Sequence, residues 1–163
     1  MTDNVGLRLC ASLLAQGRVL GVGLGASASE IDRAFRGEYV EELGRGGLDA
    51  RRDYGLIELS LTKKSEWVLT GVTLQLHRLP GNPDLLREFH RDSGVAFQPY
   101  TAWRELEECF LSAAPDVALQ CVQQRGFLEY RNPEAKVSVF VVDDGTERSE
   151  WPGHGEVWSI ALG

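Results

Sequence analysis

Residues 54–83 read YGLIELSLTKKSEWVLTGVTLQLHRLPGNP. In the first part Ile57, Leu59 and Leu61 alternate with Glu58 and Ser60, and in the second Val72, Leu74 and Leu76 alternate with Thr73, Gln75 and His77. Successive side chains of an extended chain point to opposite faces, so this period of two predicts strands over 54–61 and 67–79, each with one apolar face. Pro80-Gly81-Asn82-Pro83 then supplies the clearest break in the chain.

On the N-terminal side of this pair the period changes to that of a helix. Val5, Leu9, Leu13 and Gln16 fall near one helical face, with Gly17 as the stop. Ser27 and Glu30 form an S-x-x-E capping box, and Ile31 and Phe35 follow four apart, predicting a second helix that Gly37 ends. A short strand is expected over 38–43. Beyond the break the order recurs. Helices are predicted over 84–91 (Leu85, Leu86 and Phe89 inward) and 101–113 (Trp103, Leu106 and Phe110 inward). Strands are expected over 117–123, 126–131, 136–142 and 156–162. In the third of these Val137, Val139 and Val141 share a face; in the last Val157, Ser159 and Ala161 face one way and Trp158, Ile160 and Leu162 the other.

The expected fold class is therefore α+β, built as two tandem units of a helix pair plus an antiparallel sheet, 1–80 and 81–163, within one compact domain. One such unit has a thin core, and two side by side bury more apolar area. Whether the two sheets join or merely pack stays open at this level.

With 163 residues, 43% of them hydrophobic and 25% charged, the chain needs no disulfide or metal to fold. The net charge is −7 and is unevenly placed: residues 1–80 carry ten bases and ten acids, residues 81–163 seven bases and fourteen acids. Nucleic acid demands excess positive charge, so that class is disfavoured, whereas a basic protein partner suits such a surface. The N-terminal residues show neither a basic-then-apolar leader nor an apolar run of membrane-spanning length. Cys10, Cys109 and Cys121 form no CxxC pair and read as reduced, buried thiols. Together these features lead to the expectation of a cytoplasmic protein that binds no membrane.

Motifs for chemistry are sparse. Gly21, Gly23 and Gly25 precede a helix, but the third glycine is misplaced for a dinucleotide loop and the surroundings read as antiparallel, so a structural turn is expected. His77, His90 and His154 lack metal-ligand spacing, and no cofactor or metal is expected. Adjacent carboxylates (Glu41–Glu42, Glu107–Glu108, Asp143–Asp144) diverge on a strand or helix and make poor acid–base pairs. Trp67, Trp103 and Trp158 sit in regular elements and are read as core.

The stretch Asp143-Asp144-Gly145-Thr146-Glu147-Arg148-Ser149-Glu150-Trp151 stands apart: four acids, one base and a tryptophan around an Asp-Gly turn signal. Acids around an exposed aromatic are the ingredients of an anchor with a polar rim. The candidate partner-binding residues are Asp143, Asp144, Glu147, Glu150 and Trp151, joined by Glu105 and Glu108 from the helix expected over 101–113. A plain solvated loop with Trp151 tucked onto the sheet is the competing reading.

LGASASEIDRAFRGEY, RRDYGLIELSL and VTLQLHRL, within residues 20–80, resemble immunity-type proteins of bacterial polymorphic toxin systems: a Leu-Gly turn into a capped helix, a DYG-led strand and a strand closing on His-Arg-Leu. The two-unit order also resembles, in architecture alone, the tandem fold of the β-lactamase inhibitor protein, a secreted and disulfide-containing family unlike this chain in both traits. The immunity resemblance implies a non-catalytic protein that binds and occludes a basic cognate toxin domain. It carries over no residue roles. An enzyme whose site assembles only in three dimensions, and a generic ligand-binding module, remain the alternatives.

Overall fold

The computed structural model describes residues 4–146 and 149–163. Its elements, in chain order, are α1 (Val5–Gln16), β1 (Arg18–Val19), β2 (Val22–Gly23), α2 (Ala28–Ala34), β3 (Val40–Leu43), β4 (Asp49–Asp53), β5 (Ile57–Lys63), β6 (Trp67–Leu74), a 3-10 turn (Leu76–Arg78), α3 (Pro83–Ser93), α4 (Trp103–Ala113), β7 (Gln120–Gln124), β8 (Phe127–Asn132), β9 (Val137–Val142) and β10 (Val157–Leu162). The fold is α+β. Among the described residues no helix is long and apolar enough to cross a membrane.

Eight strands form one antiparallel sheet in the order β3-β4-β5-β6-β10-β9-β8-β7. The sheets of the two halves therefore join, through β6 and β10, where Leu74 faces Ile160 and Val72 faces Leu162. Each half supplies four strands to the sheet, as expected for the second half and one more than expected for the first. Alternation sorts the faces: Ile57, Leu59, Leu61, Leu74, Val139 and Ile160 are buried on one side, while Glu58, Ser60 and Thr73 point to the other.

The helices cover the apolar face. α1 packs on α4 and reaches across to β9 and β10, so a helix of the first half lies over strands of the second. Asn132 on β8 donates from Nδ2 to the carbonyl of Leu14, a buried bond of 2.8 Å that ties α1 to the sheet. α2 packs near β6. Local chemistry sets the ends. Asn4 caps α1 through Leu7 N–H, and Gly17 closes it at φ 67, a left-handed position where an added Cβ would also meet the carbonyl oxygen of Ala135 at 2.7 Å. The capping box on α2 is formed in both directions, Glu30 N–H to Ser27 Oγ and Ser27 N–H to the Glu30 carboxylate.

Several expectations are corrected. Helix α2 stops at Ala34, because Phe35 has turned to extended backbone and its side chain is buried. Strand β4 was not foreseen. Its DARRD carries charge on both faces, and only Ala50 is a buried apolar side chain. The second predicted strand ends at Leu74, and His77 sits in the 3-10 turn. In β10 the register against β9 shifts between Val157 and Ser159. This bulge returns Val157 to the buried face with Ile160 and Leu162, and frees Trp158 from the predicted alternation. Cys10 is buried as expected, Cys109 is half-buried, and Cys121 is exposed on the edge strand β7.

Candidate functional site

The helix-free face of the sheet carries the features that the core does not use. In the first half these are charges. Arg78 bonds Asp53, the carbonyl of Gly55 and Glu58; Arg51 reaches Glu58 at 3.6 Å and Glu42 at 2.9 Å; Gln75 donates to Glu58. In the second half Glu129 accepts from Arg131, Ser138 and Gln124. Those bonds, the one from Arg131 above all, hold the Glu129 carboxyl below the usual range although burial works against its charge.

Between these polar ends lies an aromatic cluster. The rings of His77 and Trp158 are 4.6 Å apart and nearly parallel. Trp151 is near-parallel to both, 5.5 Å from Trp158 and 6.2 Å from His77. Phe127 meets Trp158 edge-on at 5.7 Å. Phe127 precedes Leu128, which pairs with the inward Val141, so the cluster stands on the open face. Burial holds the His77 imidazole below its ordinary pKa, against opposing pulls from a backbone hydrogen bond with Trp158 and the charge of Glu58. Its Nδ1 is buried with no hydrogen-bond partner among the described residues.

The 143–155 segment is anchored at its base and at its middle. At the base Val142 N–H donates to Glu156, Gly155 N–H to Val142, and Gly153 N–H to the Glu156 carboxylate at 2.7 Å. In the middle Trp151 stacks on the cluster while remaining 46% exposed, so it is both seated on the sheet and open to a partner. Beside it Glu150 adopts φ 65, a left-handed conformation that costs a non-glycine residue energy. Its side chain packs over Gly81, where a Cβ would meet it at 2.9 Å. The loop thus spans from the β9–β10 connection to the break before α3.

Comparison with protein-family models, with curated proteins and with solved structures found no match.

The other predicted residues divide. Asp143 is half-buried, 3.7 Å from His154 Nδ1, and Asp144 accepts from Thr146 N–H at 3.0 Å, folding the Asp-Gly turn. Glu147 lies outside the described residues. Glu105 and Glu108 are exposed on α4. That helix covers the apolar face, with Trp103 stacked 4.2 Å from Tyr130, so these two acids stand on the opposite side of the sheet from the cluster. The contact between the two regions is at the start of α4, where Trp103 N–H donates to Gly155.

Sequence reasoning missed His77 and Trp158 as surface residues. The signal was present in the spacing: Val157 and Ile160, both apolar, are three apart, which no regular strand puts on one face. Trp103 is core as expected, whereas Trp67 is half-buried and sits 5.9 Å from the Lys63 ammonium. The glycine-rich segment forms the β1–β2 hairpin rather than a phosphate loop. A cavity of about 500 Å³ lies beside it, lined by Arg18, Glu30, Arg33 and the hairpin backbone, and holds no histidine or cysteine. No grouping of His, Cys, Asp or Glu suited to a metal occurs among the described residues.

Proposed function

We propose that this chain is an immunity or inhibitor protein that binds a basic partner and blocks it by occlusion, without catalysis of its own. The observation that carries the reading is Trp151: a large aromatic seated against His77 and Trp158, half exposed, in a loop that also bears Asp143, Asp144 and Glu150. Tryptophan held rigidly loses little entropy on binding, and surrounding acids steer a cationic partner and penalise others. The excess of acids over bases in residues 81–163 supports the same partner chemistry. The resemblance of residues 20–80 to immunity-type proteins makes a cognate toxin domain the partner, inside the producing cell.

We also read the architecture as a tandem pair, two helices followed by a four-stranded meander in each half, with the final strands of both meanders meeting at the centre of the sheet.

The test is titration calorimetry of the purified protein against the product of the adjoining reading frame. A tight complex, weakened about thirtyfold or more by Trp151→Ala and by joint Asp143→Lys and Glu150→Lys, is the expected result, since anchors of this type carry about 2 kcal/mol or more. An unchanged affinity in both variants would move the interface elsewhere. Absence of any complex would remove the toxin reading.

A further inference from the structure

Among the described residues, four of the eight strongly exposed large apolar side chains gather in one place. Tyr39, Val40, Leu43 and Leu48, at 41, 67, 66 and 58% exposure, all belong to β3, its approach and its turn into β4. β3 is an end strand of the sheet, paired on one side alone, and all four of its residues are exposed. Its pairing with β4 runs without a register shift from Val40–Asp53 to Leu43–Ala50. It carries no proline, lysine or bulge; what blunts this edge is its shortness and the charges of Glu41 and Glu42. The other end of the sheet differs. β7 reads QCVQQ, and no large apolar residue on it is strongly exposed. A groove of about 520 Å³ opens beside β3, lined by Leu43, Asp49, Ala50, Leu61 and Thr70 among others.

We propose that the β3 edge is a docking site for an extended segment of another protein, added as a ninth antiparallel strand, with lysine or arginine opposite Glu41 and Glu42 and apolar residues opposite Val40 and Leu43. The unpaired edge supplies the main-chain hydrogen bonds of such an addition. The charges supply its selectivity. Glu42 is bonded to Arg51 on the open face and Glu41 to Arg52 on the helix side, both on the β4 flank. A carboxylate accepts more than one donor, so a cation arriving on the vacant flank extends each pair into an Arg–Glu–cation row.

A second copy of this chain is disfavoured by the same geometry. Residues directly opposite in an antiparallel pair share a face, so a two-fold pairing of β3 with itself must centre on a residue. Of the four registers centred within the strand, those on its middle residues, which keep the most pairs, set Glu41 against Glu41 or Glu42 against Glu42, and like charges opposite each other destabilise a pair.

The site is separate from the aromatic loop, so its test is independent of the proposed function. The probe is a fluorescein-labelled, end-capped peptide with two adjacent lysines flanked by valine and threonine, and its control has glutamates in place of the lysines. Anisotropy is expected to show saturable binding of the lysine peptide, about tenfold weaker for the control. Hydrogen exchange should slow at 40–43. Leu43→Asp and, as a second variant, Leu48→Asp should weaken binding while retaining the native circular dichroism, and Trp151→Ala should leave it unchanged. No saturation by about 1 mM, the weak end of specific affinity, overturns the proposal. So does equal binding of both peptides, protection at β7 instead, or a dimer in light scattering that Leu43→Asp abolishes.

Discussion

At the scale of single residues, Trp151 and His77 show how one contact serves both stability and exposure. Trp151→Ala removes an aromatic pair worth about 0.5–1.5 kcal/mol beyond its buried area, so a modest fall in Tm with a marked change in near-ultraviolet circular dichroism is expected. His77 gives a pH signature. Its folded pKa lies below the ordinary 6.5, so the unfolded chain binds the proton more readily. Stability is therefore full above about pH 6.5 and declines as pH falls from there towards the depressed folded value; urea midpoints at several pH values should show this slope, and His77→Gln should flatten it. Glu129 acts in the same direction lower down: its depressed pKa gives stability present above 4.5 and lost as pH falls below it. The cysteines differ in reactivity for a similar reason. Burial, with the nearby Cys109, pushes the Cys10 thiol far above its ordinary pKa. A thiol reagent should therefore label exposed Cys121 at once and Cys10 on unfolding only, as peptide mass mapping would show.

At the scale of elements, α2 is short and depends on its cap. Ser27→Ala removes the side-chain arm of the box, from Glu30 N–H to Ser27 Oγ, and should cost about 1 kcal/mol in denaturant titration, while Ser27→Asp, which keeps an acceptor, should cost less. That helix was legible in the sequence because its signals are local: a cap, an acid three residues on, a pair of apolar residues four apart. Strands β5, β6 and β9 were legible for the same reason, each alternating within a few residues. β4 was not, because its residues are satisfied at a distance, Arg52 by Asp32 and Glu41, and Arg51 by Glu42 and Glu58. Of the candidate site, the loop and its exposed tryptophan could be read directly. The surface on which the tryptophan rests could not, since His77 reaches it only through the pairing of β6 with β10, and Trp158 only through a bulge that reverses the apparent alternation.

At the scale of the whole molecule, the decisive contact is β6 with β10. Ile160 is fully buried at this junction, facing Leu74 on one side and Val139 on the other. Ile160→Ala should cost about 2–5 kcal/mol, and the loss should fall on both halves together. With α1 lying across α4 and the second-half strands, a single unfolding transition is expected, coincident by tryptophan fluorescence and far-ultraviolet circular dichroism. Two separated transitions would show the halves to be energetically independent.

The same junction governs the order of events during synthesis. Leu74 and Ile160 are neighbours in the sheet yet distant along the chain, so the closing pair is among the most non-local in the molecule. A nascent chain on the ribosome can complete the β3–β6 meander early, but it must then hold the bare flank of β6 open through the making of α3, α4 and three further strands. Until β10 arrives that flank is an unprotected template for the wrong strand, its own or a neighbour's, and chaperone demand should peak in that interval.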